Sequence, residues 1–296
     1  ANVDARVDAI NQCSFNVHIT LKGIVIMKRH LLALLALSSS FFSLSALAQD
    51  NSTLATASAS QRSNEQAEQV VGVGLGYGTR YFGGKTDWRA TVFGEANFSN
   101  GIFLSTTDGI GYRFLNNNSG FSASASLGVS GWRKESYGKN DTHNRLTGMG
   151  DIDPRAQANL FLNYDTGPYH VNTALHQTMG DRRGTSADIT ARYDVLATKT
   201  DLVDVSAGVS YANKSEMNTF FGVTKAQSAT SGNAAYTPKA GIDGAGIGIS
   251  WRHAITPNWV STVGANVTRL GDAAADSPLS AHRTNSGIGA SIGYRF

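Results

Sequence analysis

The chain has 296 residues, a single cysteine (Cys13) and a formal net charge of +3. Part of that excess lies in Arg6, Lys22, Lys28 and Arg29. Residues 49–296 carry 21 basic and 20 acidic side chains, a balance that leaves no electrostatic footprint for nucleic acid, and one cysteine excludes an internal disulfide. Glycine is the positive signal: 31 of the 32 glycines follow residue 48, well above the usual share of roughly 7%. Without a collagen-like repeat, that density suits tightly wound strands and bends.

Residues 1–26 precede a better start at Met27 and read as an upstream extension with no folded role. From Met27 the sequence is MKRHLLALLALSSSFFSLSALAQD. Lys28, Arg29 and His30 make a positive n-region, 31–47 an apolar stretch, and Ala46-Leu47-Ala48 a small-x-small cleavage pattern before Gln49. Five serines within seventeen residues make a poor membrane span, so 27–48 is expected to be a signal peptide cut between Ala48 and Gln49. No cysteine follows, so the signal is not of lipoprotein type. Residues 49–69 are polar and aperiodic and read as a flexible lead-in.

From Val70 onward, alternation with period two takes over, which means strands. Val71, Val73, Leu75 and Tyr77 oppose four glycines. Phe121, Ala123, Ala125, Leu127 and Val129 oppose serines and Gly128. Ala156, Ala158, Leu160, Leu162 and Tyr164 oppose Arg155, Gln157, Asn159, Phe161 and Asn163. Ala187, Ile189, Ala191, Tyr193 and Val195 oppose Asp188, Thr190, Arg192 and Asp194, and Ile247, Ile249 and Trp251 oppose Gly248, Ser250 and Arg252. Several of these runs reach about ten residues, beyond the usual 5–6 of globular strands and enough to cross a bilayer when tilted.

Tight connections at 99–101, 116–120, 165–167, 198–201 and 255–258 consist of turn formers. Longer polar stretches lie at 134–150, 214–239 and 271–283. Short turns on one side and long loops on the other mark an outer-membrane barrel of a Gram-negative bacterium, and closure is required because lipid satisfies no backbone polar group. Counting back from residue 296, the alternation fails unless TTDG (106–109) reverses the chain. With that reversal the count is twelve strands and without it eleven; an even number is the norm, so twelve is expected, with ten as the alternative. The fold class is therefore an all-β, transmembrane, antiparallel up-and-down barrel over 70–296. Arg155, Asp188, Arg192 and Asp194 are expected in a polar lumen, and Trp88, Trp132, Trp251 and Trp259 in interfacial girdles.

The final decapeptide, GIGASIGYRF, places Ile288, Ala290, Ile292, Tyr294 and Phe296 on one apolar face. It resembles the C-terminal signal read by the barrel-assembly machinery, with Phe296, Tyr294 and Ile292 as its recognised residues. Longer segments resemble one family of barrels. GVGLGYGTRYFGG (72–84), GIFLSTTDGIGYRFL (101–115), LTGMGDIDPRAQANLFLNY (146–164) and FFGVTKAQSATSGNAAY (220–236), with RLGDAAADSPL (269–279), are similar in order and spacing to the MltA-interacting protein/OmpV family. The resemblance implies a barrel throughout 70–296. For function it implies a noncatalytic scaffold joining a lytic transglycosylase to a peptidoglycan synthase, or a porin-like channel, adhesin or antigen.

Residues that could carry chemistry are few. His143, His170, His176, His253 and His282 show no base–nucleophile spacing. His170 and His176 fall about 20 Å apart along one strand face, too far to share a metal. Asp151 and Asp153 at i, i+2 could do acid–base work, but fit a loop-to-strand junction better. GVGLG (72–76) lacks the strand-then-helix context of a dinucleotide loop. No catalytic residue, metal or cofactor is expected, and the partners are outer-membrane lipid and the assembly machinery.

Overall fold

The alternation folds into twelve antiparallel strands closed as a barrel in sequence order, β12 returning to β1. The computed structural model describes residues 69–79, 84, 86–138, 144–181 and 184–296. The upstream extension, the signal peptide with its Ala48–Gln49 junction, the polar lead-in up to residue 68, and His143 lie outside the described residues. The first half of the barrel comprises β1 (Gln69–Thr79), β2 (Thr86–Asn97), β3 (Ile102–Ser105), β4 (Gly109–Asn116), β5 (Phe121–Val129) and β6 (Ala156–Thr166). The second comprises β7 (Tyr169–Thr178), β8 (Thr185–Ala197), β9 (Asp201–Ala212), β10 (Gly241–Ala254), β11 (Trp259–Leu270) and β12 (Thr284–Arg295). Closure runs from Val70↔Arg295 to Gly78↔Gly287.

The count of twelve holds because TTDG does reverse the chain. Ser105 Oγ accepts the N–H groups of Thr107 and Asp108, each at 3.1 Å. Gly109 then takes φ +82°, where a Cβ would also strike the Leu127 carbonyl. The cost is a four-residue strand. β3 pairs with β2 only from Glu95↔Ser105 to Asn97↔Phe103. Above that, Thr106 N–H donates to Gly94 O at 3.0 Å and Gly94 N–H to Thr106 Oγ1 at 3.2 Å.

Gly94 fixes which β2 amides face that side, because backbone polar groups alternate along a strand: Trp88, Ala90 and Val92. No described strand pairs with β2 there. Amide hydrogen exchange in detergent should therefore be faster at Trp88, Ala90 and Val92 than at Asp87, Arg89 and Thr91, which face β1. Equal protection of both sets would mean that the wall is complete at this point.

On the long strands most apolar residues face outward and remain accessible, Leu127 63% and Ile247 65% exposed, while Phe93, Phe103 and Phe161 turn inward. A belt of this extent is not tolerated in water and fits a hydrocarbon surround. Aromatic pairs sit at its edges, Tyr77–Trp88 at the loop end, and Phe121–Tyr164, Tyr169–Tyr193 and Trp259–Tyr294 at the turn end. Trp132 does not belong to a girdle. It is 5% exposed, inside the β5–β6 loop against Tyr137, because the chain has already left the wall at Ser130.

The long connections are folded. The 213–240 segment holds two helices, α1 (Lys214–Phe221) and α2 (Lys225–Ser231). Asn213 caps α1 by accepting Glu216 N–H, and Thr224 caps α2 in a reciprocal pair with Gln227. A one-turn α3 (Asp272–Ala275) follows β11. Met217, Phe221, Ala212, Leu270 and Ala274 form one small core, and Leu146, Met149, Val223 and Leu279 another. Arg133 Nη1 donates to Phe220 O, Arg145 Nη1 to Pro278 O, and Ser277 Oγ to Phe221 O. Three loops thus interlock into a cap at the end from which β5, β9 and β11 emerge.

Candidate functional site

The inward positions of β5–β9 form a charged wall whose register determines its contacts. Ser126, Asn159 and His176 are aligned across β5, β6 and β7. Asn159 Nδ2 donates to Ser126 Oγ at 2.9 Å, His176 Nδ1 lies 2.7 Å from Asn159 Oδ1, and His176 Nε2 lies 3.3 Å from Asp188 Oδ2. A second rung joins Ser122, Asn163 and Asn172 through amide donors at 3.2 and 2.7 Å. Nearer the turn end, His170 sits between Asp165 (2.6 Å) and Asp194 (3.1 Å), with Arg192 Nε 3.8 Å from Asp194. The ring partners of His170 and His176 are carboxylates and an amide, not a hydroxyl nucleophile. These contacts orient the polar side chains against one another on the inner wall.

Asp188, Arg192 and Asp194 therefore line the lumen as expected. Arg155 does not: it precedes β6, at the rim, with a half-exposed side chain whose Nη2 lies 3.4 Å from Asp181. Asp151 and Asp153 share no strand face. They lie in the β5–β6 loop, where Lys134 bridges them at 2.9 and 3.7 Å. The Glu135 N–H, and then Lys134, hold the Asp151 carboxyl below its ordinary range. This loop contact is accordingly present above that range and lost as pH falls through the lowered value.

His253 lies on the outward face at the turn end. Its Nδ1 is 2.8 Å from Asp201 Oδ1, which also accepts Trp251 Nε1–H at 2.9 Å. His282 is exposed in the β11–β12 loop. Tyr294 packs edge-on against both Trp259 and Phe296, at 5.1 and 5.0 Å, and Ile292 points outward beside them.

The opposite arc of the lumen, β10–β12 and β1, is built differently. Its inward positions are mainly glycine, serine, threonine and asparagine. At the turn end the Phe93 ring covers Gly72 and approaches Gly293. Composition alone could not single this arc out, since small inward residues look the same whether neighbours fill the space or not.

A closed twelve-stranded barrel with short turns, folded loops and a polar interior agrees with the sequence match, which runs over residues 71–296 to the family described as "MltA-interacting protein MipA". The chain belongs to the MltA-interacting protein MipA family. This MipA-family barrel is an outer-membrane protein, and in such barrels the short turns face the periplasm and the long loops the outside. Comparison with curated proteins finds no match. Among solved structures the chain is similar to a KdgM porin (9% identity, TM-score 0.42, covering 77% of this chain and 99% of that one). It is also similar to a NanC porin (8%, 0.44, 76% and 98%). A third is an outer-membrane channel from Pseudomonas putida F1 (10%, 0.41, 80% and 97%). Likenesses this remote carry no argument about the lumen.

Proposed function

We propose that this barrel is a noncatalytic scaffold that docks a lytic transglycosylase, and through it a peptidoglycan synthase, at its periplasmic face. The family match carries the reading, since the family is described by its interaction with MltA. The periplasmic end supports it by offering five short, exposed turns, at 98–101, 117–120, 167–168, 198–200 and 255–258. Crosslinking in intact envelopes, followed by solubilisation and capture of the barrel, should recover a murein hydrolase. Recovery of neither hydrolase nor synthase, in preparations where another envelope complex survives, would sink the proposal.

A second reading, a passive channel, is favoured by the small residues that line one arc of the lumen. For assembly we propose Phe296, Tyr294 and Ile292 as the recognised outward set. Phe296→Ala should then sharply lower the heat-modifiable, folded form in outer-membrane fractions, more than the burial of one large apolar side chain, roughly 1.5–3 kcal/mol, would cause. Unboiled and boiled membrane samples run on a gel give the answer, and normal folding of the variant removes Phe296 from that role.

A further inference from the structure

The described wall is incomplete between β2 and β5. β3 stops at Ser105, opposite Glu95, and β4 begins at Gly109. Above that level β2 runs on to Thr86, and β5 runs past its last β4 partner, Leu127, to Val129. The tip of the β3–β4 hairpin does not close the opening. Its Asp108 carbonyl accepts Ser126 Oγ at 2.6 Å and Asn159 Nδ2 at 3.4 Å, which holds the tip against β5 and β6 rather than β2. Among the described residues no hydrogen bond reaches the N–H or C=O groups of Trp88, Ala90 and Val92 that face this opening.

Hydrocarbon satisfies no backbone polar group, so these amides need a partner that brings an acceptor into the opening. The rims are apolar and face outward: Trp88, Ala90 and Val92 on one side, Ile110, Leu127 and Val129 on the other, all exposed. The opening is therefore continuous with the lipid-facing belt. At its lower end Phe93 and Phe103 turn inward, Phe103 over Gly111, so the lumen side there is apolar as well. From Trp88 to Gly94 the edge of β2 is about 20 Å long at the strand rise, with Trp88 at the rim beside Tyr77. These surfaces match an alkyl chain, and the amides near the rim match a carbonyl oxygen at its end.

We propose that this opening is a lateral lipid site: the acyl chain of a membrane lipid lies between β2 and β5, and its ester oxygen accepts the amides of Trp88 and Ala90. The test uses the purified barrel on a Cys13→Ser background, so that an introduced thiol is unique, with folding checked on gels of boiled and unboiled samples. A fluorophore is placed at Thr91→Cys, on the inward face of β2, in vesicles of phosphatidylcholine brominated along its acyl chains. Bromine should quench it nearly as strongly as a label at Val205→Cys, on the lipid face of β9. A label at Ser206→Cys, on the lumen face of the same strand, should keep its emission. Amide exchange at Trp88 and Ala90 should be about five- to tenfold slower in diester than in diether lipid, which lacks the carbonyl, the equivalent of one hydrogen bond. Asp87 and Arg89, whose amides face β1, should exchange alike in both.

An unquenched label at Thr91→Cys shows a sealed wall and overturns the site. Equal exchange at Trp88 and Ala90 in the two lipids, with quenching intact, overturns the ester contact and with it the lipid as occupant. Exchange that slows only as the barrels are concentrated in the vesicles places a strand of a second copy there instead, and overturns the proposal too.

Discussion

Ile247→Arg should destabilise the barrel in lipid by about 2–4 kcal/mol, the cost of a cationic side chain on the lipid face near the bilayer midplane. Ile247 lies in the middle of β10, between Ala207 on β9 and Val267 on β11, and its side chain faces outward. On the surface of a water-soluble sheet the same substitution would change stability by no more than about 0.5 kcal/mol. The size of the effect therefore reads the solvent around the strand. Urea unfolding of the refolded protein in lipid vesicles measures it. A midpoint equal to the parent's would mean that the apolar belt does not face hydrocarbon.

Phe221→Ala should open the cap without opening the barrel. Phe221 ends α1, is almost fully buried with Met217, Leu270 and Ala274, and its carbonyl accepts the Ser277 hydroxyl at 2.7 Å. Removing a buried phenyl ring typically costs 3–5 kcal/mol, roughly. A cap with two cores of five and four buried residues has little in reserve against a loss of that size. Trypsin should then cut rapidly at Lys214 or Lys225, while the gel shift between boiled and unboiled samples persists. Equal resistance to trypsin in variant and parent would show that the loops are held by something other than this core.

What was legible in the sequence follows from the solvent on each side of the wall. Lipid demands apolar side chains at every second position, so the outward set of each long strand, from Val71–Tyr77 to Ile288–Phe296, stands out from the residues alone. The reversal at 106–109 is different. A four-residue strand is too short to show a period, and only turn chemistry and the parity of the other connections reveal it. The cap was hidden because α1 and α2 are short and capped by ordinary polar residues, Asn213 and Thr224, and their cores are assembled from three distant loops. Trp132 was misplaced for the same reason: a tryptophan just past a strand end looks interfacial until the loop folds around it. Arg155 failed by a single position, lying one residue before its strand begins. The pairing of Lys134 with Asp151 and Asp153 depends on a loop returning on itself, which spacing does not encode.

Docking of a murein hydrolase at the turns is most directly tested by site-specific photocrosslinking in cells. A photoreactive residue is placed at Asn118, Lys199 or Pro257 in the turns, and at Thr147 in the cap as the comparison. All four positions are exposed, so differences in yield report proximity to the partner. The scaffold reading predicts adducts containing a lytic transglycosylase from the turn positions and none from Thr147. Folded protein that gives no such adduct at any turn, or gives it only from the cap, contradicts it.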